Sequence, residues 1–178
     1  MRTHVVHLYE SIGNMKNDFS HFSEDLFAFD SFPVVGIVSN DSLNMPSRQT
    51  IVKELKLKPF EIIQDHFDLF IKKADKLGVK LQKIEFTHEI EFELEEEIDD
   101  ALYNNDYEEI FKIIKQIRNE HVDIFSISFF YEGNRYRMTK HAVAEVLGES
   151  SNEIPNIIIQ SPLSLIAGLK KFPSSEAF

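Results

Sequence analysis

The stretch SISFFYEGNRYRMT, residues 126–139, allows few folds. Apolar and polar residues alternate on both sides of Glu-Gly-Asn, the period of two expected of half-buried strands. A two-residue loop at Gly133 and Asn134 would join them, Gly133 supplying the positive φ that a type II′ turn needs first. That register pairs Glu132 with Arg135, Tyr131 with Tyr136, and Phe130 with Arg137. One face then carries Ile127, Phe129, Tyr131, Tyr136 and Met138, which is a core face. The other carries Ser126, Ser128, Phe130, Glu132, Arg135, Arg137 and Thr139. A β-hairpin over about 124–139 follows, with its arginine face partly solvated.

A second alternating run is KIEFTHEIEFELEE. Ile84, Phe86, His88, Ile90, Phe92 and Leu94 alternate with Glu85, Thr87, Glu89, Glu91, Glu93 and Glu95. This reads as a long strand over about 84–95 with one buried face and one row of glutamates. His88 would sit among the apolar side chains.

THVVHLY near the start and FPVVGIVSN at 32–40 have the Val and Ile content of short strands. Phe19, Phe22, Leu26 and Phe29 lie between them at helical spacing. Ser47 can cap a short helix carrying Ile51, Val52 and Leu55. Pro59 suits a first helical position, and Phe60, Ile63, Phe67, Phe70, Ala74 and Leu77 form a stripe ending at Gly78. EEEIDDALY starts another helix with acids in its first turn. Asp106 and Glu109 resemble a capping box for a helix to Arg118. KHAVAEVLG reads as a short helix closed by Gly148, NIIIQ as a strand, and Ser161-Pro162 as the start of a final helix. Residues 172–178 read as a flexible tail. The order of elements, with strands joined by tight turns, gives one α+β domain over 1–178, its mainly antiparallel sheet packed against amphipathic helices.

Charge narrows the choice of function. The net charge is −11, and residues 84–109 hold 12 acidic and no basic side chains. Such a field disfavours general nucleic-acid binding, because phosphates are repelled. With no Cys, disulfides, thiolate zinc sites and cysteine nucleophiles are excluded. No apolar run approaches the length of a membrane span, and the first residues lack the apolar core of a signal peptide. A cytoplasmic location away from membranes is the expectation.

Motifs of chemistry are scarce. No G-x-S-x-G elbow, phosphate-cradling loop, H-E-x-x-H or dinucleotide fingerprint occurs, so no catalytic residue and no cofactor is assigned. His4 and His7 are three apart on a strand and point to opposite faces. The glutamate row diverges instead of converging on one cation, so no metal is expected either. Adjacent glutamates on one strand face stand about 6.8 Å apart. Their repulsion is tolerable in water and unfavourable under cover, unless cations such as Arg135 and Arg137 lie alongside.

The leading expectation is a protein-binding module without catalytic activity, of the inhibitor, immunity or antitoxin kind. It would present Glu85, Glu89, Glu91, Glu93 and Glu95 to a partner with a basic surface. One alternative is an enzyme or small-anion binder with a cleft near the hairpin, Arg135 and Arg137 contacting the anion. Another is a DNA mimic using the acidic 85–109 region. Oligomeric state is open at this stage, a homodimer included.

Overall fold

A computed structural model describes residues 2–12, 26–28, 34–39 and 45–148. The described elements, in chain order, are β1 (Arg2–Ser11), β2 (Leu26–Ala28), β3 (Val34–Ser39), α1 (Met45–Glu54), β4 (Leu57–Pro59), α2 (Gln64–Lys73), β5 (Lys80–Phe86), α3 (Phe92–Tyr103), α4 (Tyr107–Asn119), β6 (Ile124–Tyr131), β7 (Asn134–Thr139) and β8 (Val143–Gly148). The strands form one sheet in the order β2-β3-β1-β8-β7-β6-β5, with β4 paired to β1. Every recorded pairing is antiparallel. The class is α+β, as the sequence pattern required.

The main core lies between one face of this sheet and three helices. Phe67, Phe70 and Ile71 come from α2, Leu94, Ile98 and Leu102 from α3, and Ile110, Ile113, Ile114 and Ile117 from α4. Opposite them stand Val6, Leu8, Leu81, Ile84, Ile127, Phe129, Tyr136, Met138, Ala144 and Val146. A smaller cluster of Leu26, Val35, Ile37, Ile51 and Leu57 packs α1 against the other face at β1, β3 and β4. Strand β3 is therefore buried on both sides, which explains its unbroken apolar sequence. Between α2 and α4, Arg118 donates from Nη1 and Nη2 to Asp68 at 2.5 and 2.7 Å. That bidentate pair ties the two helices through an almost fully buried carboxylate.

The hairpin forms over the expected residues with a different turn. Glu132 and Gly133 are the loop, with φ of 45° and 80°, and Tyr131 pairs with Asn134. Two positive φ values in succession make a type I′ turn, whose twist matches the flanking strands. Phe130 consequently faces Arg135, and Ser128 faces Arg137. Each partner moves by two residues from the expected register, so every side chain keeps its face.

Other expectations need correction. The strand expected over 84–95 ends at Phe86, and a helix begins at Phe92. Leu94, Ile98, Ala101 and Leu102 are buried at helical spacing, and acids at 93 and 95 suit the positive end of a helix dipole. A ladder of glutamates on a strand gains nothing comparable. His88 is exposed in the connecting loop, where its Nδ1 lies 3.1 Å from Thr87 Oγ1. Of KHAVAEVLG, Val143–Gly148 are strand β8 and not a helix, because alternate burial of Ala144 and Val146 completes the core beside β7. The helix expected from Pro59 is shorter. Leu57–Pro59 pair with β1, and α2 starts at Gln64, where His66 Nδ1 accepts the Ile63 amide at 3.1 Å. Gly78 does take the left-handed φ of 67° at the close of the following turn. Asp106 accepts the Glu109 amide at 3.0 Å, as its spacing implied. Helix α1 begins at Met45, ahead of the expected Ser47 cap. Of the helix expected between the first two strands, Leu26–Ala28 are a strand instead. NIIIQ, the final helix and the 172–178 tail lie outside the described residues.

The turn yields a paired test. A Cβ at Gly133 would meet nothing within 4 Å, so Gly133→Val acts through backbone strain alone. It should cost more than about 1 kcal/mol. Glu132→Asn creates the Asn-Gly pair that type I′ turns favour and should stabilise by a few tenths to about 1 kcal/mol. Urea unfolding of both variants measures this.

Candidate functional site

Helix α3 packs against β5, the last described strand of the sheet order, and a seam runs between them. Its first part is a groove of about 490 Å3 whose floor is Ile84, Phe86, Ile90 and Ile98. Glu89, Glu95 and Asp99 stand on its rim, with His88, Lys83 and Glu85 at the strand side. A second hollow of about 570 Å3 continues past Asp99 to Leu102 and Tyr103, over Lys80, Leu81 and Gln82. The seam follows a 12-residue helix, so it extends for about 18 Å.

The outer side of α3 carries an unusual combination. Phe92 is 66% exposed and Tyr103 is 85% exposed, though both are large aromatic residues. They are eleven residues apart, three turns, and so lie on one stripe with Glu95, Glu96 and Asp99 between them. Exposed aromatics framed by carboxylates can take up the apolar stem and the charged tip of lysine or arginine together.

The other polar cluster is on the sheet face opposite the three-helix core. Over β5 to β8 no described helix covers that face. Glu85 projects there and receives four donors. Ser126 Oγ donates to Oε2 at 2.5 Å, Arg137 donates to it from Nη2 and Nε at 2.8 and 3.1 Å, and Lys83 donates to Oε1 at 3.2 Å. Arg137 also donates from Nη1 to Glu145 at 3.2 Å, and its guanidinium lies 6.0 Å from the Phe125 ring centre. Phe125 is the extra residue of a bulge between Ile124 and Ser126, which lets Ser126 face Glu85. The Ser126 and Arg137 hydrogen bonds hold the Glu85 carboxyl down at about 2.

A third polar contact joins β1 to α1. His7 Nε2 meets Arg48 Nη1, and burial followed by the Arg48 charge lowers its pKa to about 4. His4 lies on the core side of β1, so the two histidines do point apart. Among the described residues no group of three His, Cys, Asp or Glu side chains is placed to hold a metal ion.

The five glutamates named as a docking row do not share one face. Glu85 is an ion-paired strand residue, Glu89 lies in the loop, and Glu91 is the N-cap of α3. Glu93 and Glu95 sit on different sides of the helix. Glu85, Glu89 and Glu95 line the groove, and Glu91 and Glu93 do not. Of the two arginines, Arg137 is bound to two carboxylates and Arg135 is exposed. Phe92, Asp99, Tyr103 and Glu145 were not singled out. Phe92 is hidden when 84–95 is read as a strand, because the alternation puts it on the buried face, whereas Asp99 and Tyr103 fall in the helix expected from EEEIDDALY and carry no motif of their own.

Neither a family model, a curated protein nor a solved structure matches this chain. No helix among the described residues is long and apolar enough to cross a membrane.

The ion-pair cluster predicts a pH effect. A folded pKa below the unfolded value of 4.5 adds stability that is full above 4.5 and disappears as pH falls towards 2. Arg137→Met should therefore unfold more readily than wild type near neutral pH, and the gap should close between pH 4.5 and 2. Urea titrations across that range test it. Carboxylates that do not touch Arg137 titrate alike in both proteins and cancel in the difference, so the difference reads Glu85 together with Glu145.

Proposed function

We propose that this protein is a binding module, without chemistry of its own, for a basic amphipathic segment of another protein. The seam between β5 and α3 would receive that segment. One observation carries the reading: an apolar floor of Phe86, Ile90 and Ile98 is rimmed by Glu89, Glu95 and Asp99, with Phe92 exposed at its lip. Apolar area supplies affinity and the acidic rim supplies steering and orientation. A segment with lysines or arginines on one side and aliphatic residues on the other satisfies both. With no cysteine and no apolar span, a cytoplasmic setting is proposed with it, and roles of the inhibitor or antitoxin kind belong to this class.

A fluorescent peptide alternating Lys and Leu serves as the probe, titrated by anisotropy at low and raised salt. Wild type should bind it, and Phe92→Ala and the pair Glu95→Lys, Asp99→Lys should each weaken binding about tenfold or more. The control pair Glu108→Lys, Glu120→Lys makes the same change in net charge on α4 and at its C-terminus, both exposed. That control should bind within about twofold of wild type, apart from a small loss of long-range steering. Equal weakening by the control pair would mean that the probe reads only net charge, and the groove would lose its role.

A further inference from the structure

The sheet face that carries the Glu85 cluster has a surplus of positive charge. Lys80, Lys83, Arg135 and Arg137 project there against Glu85 and Glu145. Lys83 and Arg137 are joined to those two carboxylates. The Arg135 side chain makes no ion pair or hydrogen bond with any described residue. It stands two residues before Arg137 on the same face of β7, about 6.8 Å away along the strand.

A cleft of about 180 Å3 opens between them, and its lining includes Thr3, Ser128, Arg135, Arg137, Glu145 and Leu147. The pairing explains how six residues from four strands meet there. Leu147 is the partner of both Thr3 and Arg135, while Arg137 is the partner of both Ser128 and Glu145. The Ser128 and Thr3 hydroxyls have no hydrogen-bond partner among the described residues. Three of the five Arg137 N–H groups go to Glu85 and Glu145, so two remain. The cleft thus presents one unmatched guanidinium and several unused donors around a space of a few heavy atoms.

We infer that this cleft is a binding site for a compact oxyanion that retains a proton, of the size and chemistry of singly charged phosphate. Arg135 takes the charge in the forked geometry that guanidinium offers to two oxygens. Ser128 and Thr3 donate to the remaining oxygens. Glu145 gives the site its selectivity. A carboxylate in the wall repels an anion that can only accept, and accepts a hydrogen bond from one that carries O–H. The site lies on a different face from the α3 seam and does not depend on the function proposed for it.

The test uses the full chain at mildly acidic pH, where inorganic phosphate is mostly H2PO4−, with sulfate as the isostere that has no proton. Thermal melts at constant ionic strength compare wild type, Arg135→Ala and Ser128→Ala. Phosphate at ten times its dissociation constant should raise the wild-type melting temperature by about 3 °C. Sulfate should do so much less. Arg135→Ala should lose the difference between the two anions, and Ser128→Ala should need several-fold more phosphate for the same rise. Broadening of the phosphorus resonance by wild type, absent with Arg135→Ala, checks binding independently of the melt. An equal rise with both anions in wild type and Arg135→Ala would be the exclusion effect common to such salts and would overturn the site. A response to sulfate equal to that for phosphate, lost in Arg135→Ala, would remove Glu145 from its role and overturn the assignment of a protonated anion.

Discussion

Phe129 is held from two sides, and much of the molecule depends on it. The Tyr136 ring stacks on it across the strand pair, centroids 5.2 Å apart and nearly parallel. Phe70 of α2 meets it from the helical layer at 4.9 Å with a tilt of 58°. Such aromatic pairs contribute about 0.5–1.5 kcal/mol each beyond the area they bury. Their larger effect is on register. With Phe129 and Tyr136 both in the core, the pleat forces Ser128, Arg135 and Arg137 to the opposite face. Slipping β7 by one residue would bring guanidinium groups against Phe70, at the cost of burying charge. The ion pairs of the open face therefore follow from aromatic packing on the other.

This parity also explains which parts of the fold were legible in the sequence. The hairpin faces came out correctly although the turn was placed one residue late. Gly133 marks a turn without saying which neighbour joins it, and Glu132 at positive φ is not a residue that advertises itself. Moving the turn by one residue moves each partner by two, and the faces survive. The 84–95 segment had no such protection. Its residues alternate well enough for a strand, and Leu94, Ile98 and Ala101 fit a helix equally well. What decides between them is that no described strand pairs with the chain beyond Phe86 and that acids stand where a helix starts. The first is a fact about the whole sheet and cannot be read locally. KHAVAEVLG failed in the opposite direction, since β7 needed a neighbour and the alternation of Ala144 and Val146 supplied it.

The candidate sites were legible in kind more than in place. That Arg137 would lie alongside a glutamate was foreseeable from the hairpin, and Glu85 is that glutamate. That Glu145 would join it was not, because a helix over 140–148 would have turned it elsewhere. A row of five glutamates on one strand would have made a flat, uniformly negative face. Breaking it at Phe86 distributes the same charges among three environments, each less repulsive than the row. Glu85 sits among cations, Glu93 and Glu95 stand at the positive end of a helix, and Glu89 is in a solvated loop. The chain can thus concentrate 12 acids in residues 84–109 without a single covered carboxylate ladder.

That distribution decides which acids remain electrically effective towards a partner. Glu85 lines the groove, yet its two oxygens already hold four donors from Ser126, Arg137 and Lys83. A cation entering the groove meets Glu85 as part of a neutralised cluster and gains little from it. To gain more it would have to displace Lys83, the most exposed of those donors, since Arg137 is anchored by a second carboxylate. Glu89, Glu95 and Asp99 have no ion-pair partner among the described residues, so their field reaches the solvent undiminished at low salt. Attraction is therefore centred on the helix side of the seam and fades towards the strand. For the basic segment we propose, that gradient would set the orientation, with its cations towards α3 and its apolar side towards Phe86 and Ile90.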